Sequence, residues 1–207
     1  AAQGALLLLL IILRYRHRKS VPLALLLLAF SLRLGTIPSW NPSTLTALPW
    51  LFPATTPLPF LFGPLLWWSA RELSRDTEAT PRLLPIHLLP YAAETMVVSV
   101  TILSMTALEY SAFVEGVFAG RPPLWLPVRN ALKVALNIVY VALAARIALA
   151  SSTWRLDAGR RLWVRALVVA AIGSLLPFAF VAVRPGASAR LAAGGDGPFL
   201  ILAAAMA

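Results

Sequence analysis

Glu94 stands about ten residues into an apolar run, residues 84 to 107. A carboxylate in that setting must face a partner, because burying it unpaired in hydrocarbon costs several kcal/mol. A second polar series, Arg129, Lys133 and Asn137, recurs every four residues in another apolar run and is followed by Tyr140. That spacing puts these side chains on one face of a helix. At about 1.5 Å of rise per residue, a Lys133 side chain reaching inward comes to the depth of Glu94. The chemistry these residue types support is recognition: a polar pocket of Glu94, Lys133 and Asn137, open to the outside, with Arg129 at its mouth. The alternative is a structural ion pair or hydrogen-bond network that fixes helix register. Tyr91, Thr95, Ser99 and Thr101 add hydroxyls near Glu94.

No pattern points to catalysis. The sequence has no G-x-S-x-G, no H-E-x-x-H, no P-loop and no Rossmann glycine fingerprint. It has no Cys, and its two histidines, His17 and His87, are far apart. Thiolate sites and multi-histidine metal sites are therefore excluded, and neither a metal, a cofactor nor an enzymatic activity is expected. His87, in "PRLLPIHLLPY", reads as an interfacial hydrogen-bonding or packing residue, with pH sensing as the alternative. Glu109 and Glu115 read as solvated acids in a connection. The glycine-rich "AAGGDG" at 192 to 197 reads as a flexible turn.

The elements that must position these groups follow from composition. Of 207 residues, 59% are hydrophobic and 13% charged, about half the charged share of ordinary soluble domains. Mean hydropathy is +0.79. The fold class this implies is all-α, a polytopic transmembrane bundle of about seven spans forming one domain over 1–207, the first and last truncated. The spans are about 1–13, 20–35, 51–70, 84–107, 128–150, 162–183 and 198–207. Residues 36 to 50, rich in Pro, Ser and Thr with Trp40 and Trp50, read as a loop at the membrane interface.

The net charge of +10 belongs to the connections. The first, third and fifth carry Arg14, Arg16, Arg18 and Lys19, then Arg71, Arg75 and Arg82, then Arg155, Arg160, Arg161 and Arg165. The even connections hold fewer: Arg33 at the edge of the second, Arg121 and Arg129 in the fourth, Arg184 and Arg190 in the sixth. The alternation puts the N-terminus outside and the C-terminus in the cytoplasm. The partner of this charge is the lipid bilayer rather than DNA. Trp67, Trp68 and Trp163 read as interface anchors. Gly63-Pro64 reads as a structural kink in the third span, or as a hinge.

Four stretches carry a family resemblance: "RYRHRKS" between two apolar runs; "PFLFGPLLWWSARELS"; "RLLPIHLLPY"; and "SSTWRLDAGRRLWVRAL", which ends in Leu162, Trp163, Val164 and Arg165. Together they resemble the membrane-embedded N-terminal region of a group of bacterial AraC-type transcription regulators. The resemblance implies a sensory module in the inner membrane that answers an unknown small-molecule or protein signal. It implies a cytoplasmic helix-turn-helix domain after residue 207, absent from this chain, through which alone DNA would be bound, and a homodimer. The competing readings are the sensor bundle of another signalling protein, such as a histidine kinase, and a small transporter or intramembrane enzyme.

Overall fold

The computed structural model describes residues 21–74, 85–150 and 158–183. The expected spans 1–13 and 198–207 lie outside them. Every regular element among the described residues is helical. Eight α-helices carry the fold: α1 Val21–Gly35, α2 Pro42–Ala47, α3 Leu51–Thr55, α4 Pro59–Leu73, α5 Leu89–Leu103, α6 Ala107–Phe118, α7 Trp125–Leu149 and α8 Ala158–Val183. Single 3-10 turns precede α2 (Ile37–Ser39) and α5 (Pro85–His87).

The helix α7 identifies the medium. Its buried residues are Leu126, Arg129, Lys133, Val134, Asn137, Tyr140, Val141, Ala144 and Ala148, a stripe at three- and four-residue spacing. From Ala131 to Leu143 every exposed residue is Ala, Leu, Ile or Val. The polarity is thus inverted, with charge inside and aliphatic carbon outside. Leaving each such Leu, Ile or Val in water forfeits about 1.5 kcal/mol or more, so this face suits an apolar surrounding such as a bilayer. Its 25 residues extend about 37 Å, beyond the roughly 30 Å of a bilayer core. Among the described residues two stretches, Val21–Ser39 and Trp125–Leu149, are long and apolar enough to cross a membrane, and a third if the bent pair α5–α6 is one span. Hydroxyls on the helices bond inward, as a water-free setting requires. Thr55, Thr56 and Ser69 donate to the carbonyls of Leu51, Phe52 and Leu65 at 2.7 to 2.8 Å.

The helix α4 is the hub. It packs on α1, α7 and α8, and one apolar cluster joins Leu26 and Ala29 to Leu65, Leu66, Trp68, Ala144, Val164 and Val168. A second cluster, around Leu45, Phe52, Val98, Ile102 and Val114, ties α2 and α3 to α5 and α6.

Four expectations about elements need correction. The span 51–70 is not one helix: α3 ends at Thr55 and α4 begins at Pro59, where Pro57 and Pro59 cannot supply backbone donors. The span 84–107 is α5 alone, and the chain then turns through 118° into α6. Thr106 makes that turn by capping α6: its hydroxyl accepts from the Glu109 amide while the Glu109 carboxylate accepts from the Thr106 amide. Glu109 and Glu115 are exposed but lie on a helix, not in a connecting loop. Residues 36–50 likewise contain α2, which buries Leu45.

Candidate functional site

The α4–α7 pair positions two polar clusters, one toward each end. At the end where α1 stops and α7 begins, Glu94 from α5 meets Arg129 and Lys133 from α7. The Arg129 Nε lies 2.8 Å and the Lys133 Nζ 3.9 Å from the Glu94 Oε1. All three side chains are at least nine-tenths buried. Lys133 also donates to the Asn130 side-chain oxygen at 3.4 Å and stands 5.7 Å from the Phe60 ring. Arg129 lies 5.2 Å over Trp125 and 5.7 Å over Phe52. Those rings belong to a continuous aromatic floor, Trp40–Phe52–Phe113–Trp125, with neighbouring centroids 5.4 to 5.8 Å apart. Stacked guanidinium and ring faces suit one another because the ring quadrupole attracts the cation.

The structure brings Glu94, Arg129 and Lys133 together, with Arg129 rather than Lys133 as the nearer partner. Asn137 is spent elsewhere. Its amide donates to the Pro59 carbonyl at 3.0 Å and to the Lys133 carbonyl at 2.8 Å, which staples α7 to the first turn of α4. The sequence reading missed Arg33. It stands in the last turn of α1, its guanidinium 4.5 Å over the Trp40 ring, at the end of the aromatic floor over which Arg129 also stands. Its position at the end of a short span was the signal, counted there only among the basic residues of the second connection.

Farther along α7, the Tyr140 hydroxyl and His87 Nδ1 are 2.7 Å apart. The Trp67 ring covers the His87 ring at 4.8 Å, and Arg71 lies 5.4 Å over Trp67. His87 is thereby a hydrogen-bonded residue, its ring tilted against Trp67, that joins the turn before α5 to α4 and α7. Glu72, in the last turn of α4, is also buried.

The expected anchors divide. Trp67 is half-buried against His87, and Trp163 is exposed on α8. Trp68 is corrected: it is 8% exposed and sits in the apolar core, on the face of α4 turned to its neighbours. Gly63 and Pro64 are buried inside a helix that runs from Pro59 to Leu73 without interruption. A Cβ on Gly63 would stand 2.9 Å from the Tyr140 Cβ and 3.0 Å from the Asn137 Oδ1. The glycine is where α4 and α7 approach closest.

No group of His, Asp or Glu among the described residues is arranged to hold a metal ion. An open groove at the α5–α6 bend, lined by Val100, Thr101, Ser104, Met105 and Glu109, lies apart from the ion cluster. Comparison with protein-family models, curated proteins and solved structures finds no match for this chain. Among the described residues the arrangement is all-helical, with apolar helices long enough to cross a membrane and an ion cluster buried between α5 and α7.

Proposed function

We propose that the chain is the sensory module of an AraC-type transcription regulator, a bundle of about seven spans in a bacterial inner membrane. Its N-terminus lies outside and its C-terminus in the cytoplasm, where a helix-turn-helix domain follows. The single observation that carries the sensory part is the cluster of Glu94, Arg129 and Lys133. It ties two helices together through charges buried in an otherwise apolar bundle. A stimulus that competes for those charges changes the relative stability of two packings, which is the only way a ligand moves such an equilibrium. The regulatory part is supported by the resemblance of the loop and span motifs, and the orientation by the alternation of basic residues.

The test is a transcription reporter driven by the full-length gene product. Glu94→Gln is expected to shift the reporter's basal output at unchanged membrane levels, and removal of everything after residue 207 to abolish DNA binding while insertion persists. An unchanged reporter in Glu94→Gln refutes the sensory role, and a gene encoding no DNA-binding unit refutes the regulator. One observation favours a second reading, a small transporter: the 118° break between α5 and α6 is the kind of discontinuity found at transport sites. Solute flux in proteoliposomes would select it.

A further inference from the structure

The ion cluster is out of balance. Arg33 and Arg129 stand on one aromatic floor, over Trp40 and over Phe52 and Trp125, and Arg129 shares with Lys133 the Glu94 carboxylate. Glu109 is engaged in the α6 cap and Glu115 is exposed. Among the described residues these basic groups outnumber the one carboxylate beside them, inside an apolar bundle where uncompensated charge is expensive. The surplus has a direction. Arg129 is 92% buried by its 8% exposure, yet its Nη1 donates to nothing among the described residues. The Nη1 of Arg33 is likewise buried without an acceptor. The aromatic floor presses on the ring-facing sides of both guanidiniums, so their edges remain the groups for a further acceptor.

We propose that Arg33, Arg129 and Lys133 form a binding site for a phosphate group. A phosphate monoester carries about −1.5 to −2 charges, which matches the surplus. It accepts in parallel from guanidinium forks and takes an ammonium as a point charge. Glu94 acts as the stand-in anion that holds Arg129 and Lys133 when the site is empty. The assignment deepens the sensory reading and rests on it for the idea that this cluster takes a ligand. Arg33 is half-buried at the end of its helix. Two sources present the same chemistry: a lipid headgroup ending in a phosphate monoester, and free phosphate from outside.

The experiment measures binding on the whole 207-residue chain by calorimetry and thermal shift. One arm titrates inorganic phosphate into detergent-solubilised protein against chloride at equal ionic strength. The other compares nanodiscs of phosphatidylcholine with nanodiscs containing phosphatidic acid. Phosphate alone raising the melting temperature identifies the soluble source, and phosphatidic acid alone identifies the lipid. Arg33→Gln is expected to weaken binding about tenfold, the loss of one charge-assisted contact, while Arg33→Lys keeps most of it. Glu94→Gln removes the competing anion and is expected to tighten binding, an outcome an unfolded variant cannot produce. Equal effects of phosphate and chloride, or undiminished binding in Arg33→Gln, overturn the site. Phosphate binding with an unresponsive reporter refutes the sensory reading and keeps the site. A reporter that responds to Glu94→Gln while no phosphate binds does the reverse.

Discussion

The two ends of the α4–α7 pair solve the same problem in opposite ways. At one end, full charges are buried: Glu94, Arg129 and Lys133 make a tight contact at 2.8 Å and a loose one at 3.9 Å, with donors left over. At the other, Tyr140 and His87 share one neutral-type hydrogen bond at 2.7 Å under Trp67. A buried ion pair stabilises little relative to apolar packing, because desolvation offsets its attraction. A tyrosine–histidine bond under a ring keeps its apolar body in contact and satisfies its one polar tip. The aromatic end is therefore built for cohesion. The charged end gains little net stability from its pairing, so a competing ion can redirect it, which is what a responsive site needs.

Breaking the charged end gives the largest expected effect. Arg129→Met leaves the Glu94 carboxylate buried with only the distant Lys133, and is expected to destabilise the folded protein by about 3–5 kcal/mol. Adding Glu94→Gln to that variant removes the stranded charge and is expected to restore most of the loss. Thermal unfolding in detergent across the double-mutant cycle reads both. If the single and double variants melt together, the two residues do not form a coupled pair.

Next comes the contact that both ends share. Gly63→Val puts carbon where Tyr140 and Asn137 already stand, and the helices must separate. The expected cost is about 1–3 kcal/mol, accompanied by loss of the Tyr140–His87 bond and the Asn137–Pro59 bond together. Tryptophan fluorescence, to which Trp67 contributes as one of seven, should change along with stability. Normal stability in Gly63→Val would mean that α4 and α7 are not so closely packed.

How much of this was legible in the sequence differs between the ends. The four-residue spacing of Arg129, Lys133 and Asn137 gave their common face, since an unbroken helix conserves that geometry. Glu94 stood out because acids are rare in long apolar runs. The partnership with Arg33 was not legible: it joins residues about a hundred positions apart through the way α1 packs on α4. The use of Asn137 on the Pro59 carbonyl was hidden for the same reason, because spacing tells which face a residue is on and not what stands opposite. The 118° turn at residue 106 was missed although its chemistry was written there. Thr106 followed by Glu109 is a capping box, masked by the apolar residues on either side. Helical class survived these errors because it depends only on local composition, whereas contacts depend on the fold.

At the aromatic end the expected effects are smaller. Tyr140→Phe removes one hydroxyl and leaves His87 to find another partner, for about 1 kcal/mol. A melting temperature lowered as much as in Arg129→Met would erase the distinction between cohesion and response.

The smallest effect sharpens the comparison most, because it pits one arginine–tryptophan contact against its counterpart. Arg71 lies 5.4 Å over Trp67 and Arg33 lies 4.5 Å over Trp40. Both are half-buried residues in the last stretch of a helix, and a stacked cation at such a site is worth about 0.5–1 kcal/mol. By that count alone, Arg71→Gln and Arg33→Gln should cost the same. They should separate once phosphate is added. Arg71 has only Trp67 to lose, so its variant should keep the full phosphate-induced rise in melting temperature. Arg33 stands among other cations, so its variant should lose that rise while gaining back some of the repulsion it removes. Parallel melting curves for the two variants with and without phosphate would show that position over a ring, and not membership in a charged cluster, governs both arginines.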